Sequence, residues 1–208
     1  MMTTDDTTPL SRTRLLLEKA RYLNLATVSP EGRPWVATLE YAWQADPLRF
    51  VFGSAGLSRH GLNIAHTPAV SGTLFAAPST PGLDIGAVDG AQFTGTCGEI
   101  PADELGDYYA HFYRTVFPDP EQRDRFRLQP SQLRAPAPHR LYVVIVEEWW
   151  LIDTRTWERD RIDRRMEVPL TELSATALGG GRSRSSEHPP VAVPAQGDGH
   201  RTPTGQGR

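Results

Sequence analysis

Lys19 is the only lysine among the 22 basic residues of this 208-residue chain, and Cys97 is the only cysteine. A single thiol excludes an intramolecular disulfide and a cysteine-built metal site. It fits a reducing compartment, so a cytoplasmic location is expected. A lone lysine on an outward-facing helix position makes a Schiff-base enzyme a poor reading. No apolar run approaches the roughly 18 residues needed to cross a bilayer, and the first residues, MMTTDDTTPLSR, are polar and acidic, unlike a secretory signal. The formal charge of −3 gives no global attraction to nucleic acid. Nucleophile motifs such as GxSxG, metal-ligand spacings and a partnered acid pair are also missing.

The chain length suits one domain with appendages. Residues 1–8 are expected to be disordered. Residues 171–208 contain no aromatic and no isoleucine, so burial there cannot offset ordering entropy, and a disordered tail is expected. The domain then spans 9–170. Thr8 and Pro9 read as N-cap and first residue of a helix to about Arg21. Strands are expected at 22–29, 34–43 and 48–52, joined by a Ser29-Pro30-Glu31-Gly32 turn and an Asp46-Pro47 turn into an antiparallel meander. A helix from about Ser58 to His66 follows, then strands at 69–77 and 87–100, with a loop at 77–82 between them. A helix over 101–117 comes next, then an arginine-rich irregular stretch over 118–138 with one helical turn. Arg140 to Asp153 is the last strand. Its apolar first half implies burial on both faces, and Glu147-Glu148 reads as a bulge or edge feature rather than a catalytic pair.

Chemistry concentrates where the third strand meets the second helix. Ser58, Arg59 and His60 gather a hydroxyl, a guanidinium and an imidazole at a helix N-terminus, which is what an anionic group needs. The aromatic and β-branched residues of the flanking strands suit the walls of a flat cofactor.

The segments LNLATVSPEGRPWVATLEYAW, LRFVFGSAGLSRHGLNIAHTP and GAQFTGTCGEI, in this order and spacing, resemble the pyridoxamine 5′-phosphate oxidase-like family of FMN-binding split barrels. The SRH, GAQFTGT and late WWLID…DRRM pieces are most similar to a small subgroup of it, and the resemblance covers roughly residues 10–168. It implies a mainly β (α+β) fold, a six-stranded antiparallel split β-barrel with a few flanking helices. It also implies a homodimer with two FMN molecules at the subunit interface. Carried over by position, Ser54, Ser58, Arg59 and His60 meet the FMN phosphate, the backbone around Ala37 and Thr38 lines the isoalloxazine, and Gln92 approaches from the partner chain. The implied activity is an FMN-dependent oxidation or reduction of a small organic molecule, with no catalytic residue assigned. The chain departs from the wider family at His60, where lysine is common. That departure keeps two alternatives open. One is a barrel that takes a deazaflavin or haem, with His66, His111 and His139 as candidate haem ligands. The other is a flavin-binding protein without turnover.

Overall fold

Thr8 and Pro9 begin the first helix as their side chains dictate. The Thr8 hydroxyl accepts the Ser11 amide at 3.1 Å, and α1 runs Pro9–Lys19. Leu16, Leu17 and Ala20 line its inner face and are fully buried. The computed structural model describes residues 8–76, 90–153, 155, 157–171 and 173. The N-terminal segment up to Thr7, the 77–82 loop and nearly all of the tail expected to be disordered lie outside the described residues.

The strands are β1 (Tyr22–Val28), β2 (Pro34–Glu40), β3 (Ala42–Ala45), β4 (Leu48–Ala55), β5 (Ala69–Phe75), β6 (Gly90–Glu99), β7 (His139–Ile152) and β8 (Arg165–Glu167). They form one antiparallel sheet in the order β2-β1-β5-β6-β7-β4-β3, with β8 on β7. The six strands expected are therefore too few. The stretch 34–43 is not one strand but two, broken at Tyr41, and β8 is additional. The expected meander is corrected in the same way, since β2 pairs with β1 while β3 pairs with β4.

Those two pieces are the opposite edges of the sheet. Laid flat, seven strands would separate their edges by about 29 Å at about 4.8 Å per strand. The chain from Glu40 to Ala42 spans at most about 7 Å. The sheet must therefore curl until its edges meet, and the result is a split barrel. Tyr41 makes the corner. Its ring is buried, and its hydroxyl donates to the Ala20 carbonyl at 3.0 Å, where α1 ends.

Two cores follow. Inside the barrel, Leu25, Tyr41, Phe50, Phe52, Phe93 and Trp149 pack together. The Trp149 indole N–H donates to the buried Thr13 hydroxyl at 3.0 Å and so fixes α1 across the barrel end. Outside it, α3 (Leu105–Val116) lays Leu105, Tyr108 and Phe112 over Ala42, Val51 and Leu141. This second core explains the apolar first half of β7, which is covered on both faces. After α3, residues 118–138 hold α4 (Pro120–Phe126), capped by Asp119, and a 3₁₀ turn at Pro130–Leu133. Packing continues to Leu173, which is buried against the barrel core. No helix among the described residues is long and apolar enough to cross a membrane.

Candidate anion and cofactor site

The helix α2 (Arg59–His66) starts one residue later than expected because Ser58 is its N-cap. The Ser58 hydroxyl oxygen accepts the Gly61 amide at 3.1 Å. The preceding loop is pinned from below. Gly56 N–H donates to the Pro138 carbonyl at 2.8 Å, and Arg140 pairs with Glu99 at 2.7 Å while also donating to the carbonyls of Ala137 and His139. A β-carbon on Gly61 would lie 2.8 Å from both the Gly56 carbonyl oxygen and the Tyr142 hydroxyl, so loop, helix and β7 meet there with no room for a side chain. Arg140 and Tyr142 were not picked out from the sequence. Roughly eighty residues separate them from α2, and only the strand pairing Ser54–Arg140 brings them beneath it.

The polar groups above this floor divide into two sets. Ser54 Oγ lies 2.7 Å from His60 Nε2 and donates to Ser58 Oγ at 3.3 Å. His60 is buried, and burial pushes its pKa below the usual histidine range, so the ring is neutral at neutral pH. The amides of Arg59 and His60, by contrast, have no hydrogen-bond partner among the described residues, as first-turn amides have none within the helix. The Arg59 side chain is exposed, has no carboxylate partner among the described residues, and stacks with its guanidinium carbon 4.5 Å from the centre of the Trp35 ring.

Trp35 belongs to β2, a sheet edge that among the described residues pairs only with β1. Trp35 and Val36 are exposed, Ala37 is half-buried, and Thr38 is exposed with its hydroxyl on Asn24 at 2.8 Å. A buried link fixes α2 against this edge. The Asn63 amide donates to the Thr27 hydroxyl at 3.0 Å, which donates in turn to the Trp35 carbonyl at 3.4 Å. Ser54, Ser58, Arg59 and His60 thus share one corner, with Ala37 and Thr38 on the strand that Arg59 reaches. Gln92 does not share it. The register runs Thr38, Asn24, Thr73, Gln92 across four strands, so Gln92 stands about 14 Å from Thr38 on the same face. There its side-chain oxygen accepts Arg165 Nε at 2.7 Å, beside a hollow of about 220 Å³ lined by Thr73, Phe75, Gln92, Ile152 and Arg165.

Other titratable groups have duties elsewhere. The ladder shifts register between Thr94 and Gly95, which places a bulge at Glu147 as the sequence suggested. The two carboxylates accept from Thr94 and Thr96 at 2.6 and 2.5 Å. His111 Nε2 lies 2.9 Å from the Trp43 carbonyl, while His66 and His139 are exposed. Cys97 is buried and its pKa is pushed up to about 12, which leaves the thiol inert.

The donor set at the corner fits a phosphate. Two open amides, the Arg59 guanidinium and the Ser58 hydroxyl all belong to the start of α2, and no carboxylate among the described residues is bonded to any of them. The free edge of β2 offers backbone groups and an aromatic neighbour to a planar ring.

No curated protein matches the chain. Its fold is shared with solved structures of low sequence identity. A haem-binding protein from Mycobacterium smegmatis is 18% identical with a TM-score of 0.59, and the match covers 81% of this chain and 60% of that one. A conserved hypothetical protein from Mycobacterium tuberculosis is 15% identical, TM-score 0.55, with 78% and 95% covered. A protein of unknown function from Agrobacterium tumefaciens is 22% identical, TM-score 0.53, with 73% and 58% covered. The chain therefore spans about three fifths of the length of the first and third of these structures. The family model for pyridoxamine 5′-phosphate oxidase matches residues 11–153, and the chain belongs to that family.

Proposed function

We propose that the chain is an FMN-dependent oxidoreductase acting on a small organic molecule. The observation that carries the reading is the pairing of unanswered donors at the start of α2 with the free edge of β2. Arg59, the amides of residues 59 and 60, and Ser58 would hold the phosphate of FMN, and Ala37 and Thr38 would present backbone to its ring. FMN, when bound, supplies the hydride or electron transfer, so the protein needs no acid–base pair of its own. The chain's share is to bind, orient and exclude water.

The site is completed by a second copy. Gln92 is about 14 Å from Thr38 along the sheet within one chain and is engaged there by Arg165, whereas a partner lying on this face would bring its own Gln92 to the ring. The bare β2 edge and exposed Val36 also need a cover. A homodimer is the expected state by light scattering.

The decisive measurement is the absorbance of the purified protein, followed by titration with FMN and with riboflavin. Flavin bands, and tighter binding of FMN than of riboflavin, support the reading. Haem or deazaflavin absorbance, with no FMN binding, overturns it. Bound FMN that no reductant and substrate turn over would leave a flavin carrier and remove the enzyme.

A further inference from the structure

We propose that His60 does not touch the bound phosphate but positions Ser58 for it: His60 Nε2–H donates to Ser54, Ser54 donates to Ser58, and the Ser58 hydroxyl proton is thereby turned outward to the anion. This rests on the phosphate reading of the α2 corner and goes beyond it. It makes His60 and Ser54 positioning residues and leaves Ser58 as the contact.

The argument is a count of protons along three side chains. Ser58 Oγ already accepts twice, from the Gly61 amide at 3.1 Å and from Ser54 at 3.3 Å. Its own hydrogen can point at neither and has only the open side of the helix start. Ser54, having given its proton to Ser58, must accept at the 2.7 Å contact with His60. Nε2 must then carry the ring hydrogen. The other tautomer releases this constraint. If Nε2 were bare, Ser54 would donate to it and not to Ser58, and the Ser58 hydrogen, no longer held outward, could turn to Ser54 instead of the ligand. One tautomer of one buried ring therefore sets whether the N-cap serine is a donor or a blank towards an anion. Phe52 packs against the imidazole at 6.2 Å between ring centres, and burial keeps the ring from turning out to solvent.

A cation at this position would meet the anion directly. A neutral histidine acting through two hydroxyls supplies direction without charge. The phosphate must then draw its positive charge from Arg59 and the helix start.

Nitrogen-15 NMR of the histidine side chains in the ligand-free protein, assigned with His60→Gln, reads the tautomer without any cofactor. A protonated Nε2 is expected, and a protonated Nδ1 with bare Nε2 overturns the relay. Titration with FMN and riboflavin supplies the second arm. Ser54→Ala should weaken FMN severalfold and leave riboflavin unchanged, because the Ser58 hydroxyl is no longer held towards the phosphate. His60→Phe should act alike, and His60→Gln, which keeps an N–H, should restore most of the loss. Equal weakening of FMN and riboflavin, or none, counts against the relay. Wild type that binds no FMN overturns the cofactor reading instead, and the tautomer still decides the relay by itself.

Discussion

Two polar clusters of this molecule look alike in sequence and differ in what they leave undone. At the β6–β7 bulge, two adjacent carboxylates face two threonines, and each pair is closed at 2.6 or 2.5 Å. At the start of α2, a hydroxyl, a guanidinium and two amides bond to no carboxylate among the described residues, Glu31 acting on Arg59 only from a distance. The first cluster uses its polar groups on itself and stabilises an irregular ladder. The second holds its donors ready for something else. A cluster of charged residues is therefore weak evidence for a site until its partners are counted.

If the bulge is structural, its strictest requirement is the glycine opposite it. A β-carbon on Gly95 would lie 2.2 Å from the Ile145 carbonyl oxygen, against backbone that cannot yield. Gly95→Ala should destabilise the fold by about 3 kcal/mol, seen as a lower midpoint in denaturant. An unchanged midpoint would mean that the bulge is not held as described.

If the α2 corner is the site, the converse holds. Arg59→Ala should leave the denaturation midpoint where it is, since the side chain is exposed. FMN affinity should fall ten- to hundredfold, the worth of about 1.5–3 kcal/mol of charge-assisted contact. Affinity equal to wild type would move the phosphate elsewhere.

His60 gives the corner a pH signature. Its pKa is lowered by burial, so below its ordinary value of 6.5 the unfolded chain binds the proton more readily than the folded one. Stability should then be full above that value and decline as pH falls through the folded pKa. His60→Gln should flatten this slope between pH 7 and 5 in denaturant titrations, and an unaltered slope would assign it to other groups.

The smallest effect belongs to the carboxylates. Glu147→Gln and Glu148→Gln keep an oxygen for each threonine, so stability should stay within about 0.5 kcal/mol, and FMN affinity should not change. A loss of cofactor or turnover in either variant would erase the contrast between the clusters.

The parts of this fold that were legible in sequence are those encoded by neighbours in the chain. Thr8-Pro9 capped a helix, Gly32 closed its turn onto the Ser29 carbonyl at 2.9 Å, and the paired glutamates marked a bulge. The break at Tyr41 was not legible. TLEYAWQA contains no glycine, proline or other turn residue, and nothing local says that its two halves pair with different strands. The site was legible in the same measure. Ser58 and Arg59 announced themselves beside a glycine loop. The inward turn of His60 depends on Ser54 six residues away, and the floor beneath it on Arg140 and Tyr142 from another strand, contacts that only the closed barrel creates.

The corner at Tyr41 has one more consequence. A sheet whose two edges are joined through one residue has no slack in its frame. One residue inserted between Glu40 and Ala42 would reverse the in–out alternation on one side of the seam relative to the other. Leu39 and Tyr41 could then no longer face the barrel while Ala42 faces α3. The seam works as a phase lock between the two cores: it tolerates exchange of side chains and forbids a change in count by one.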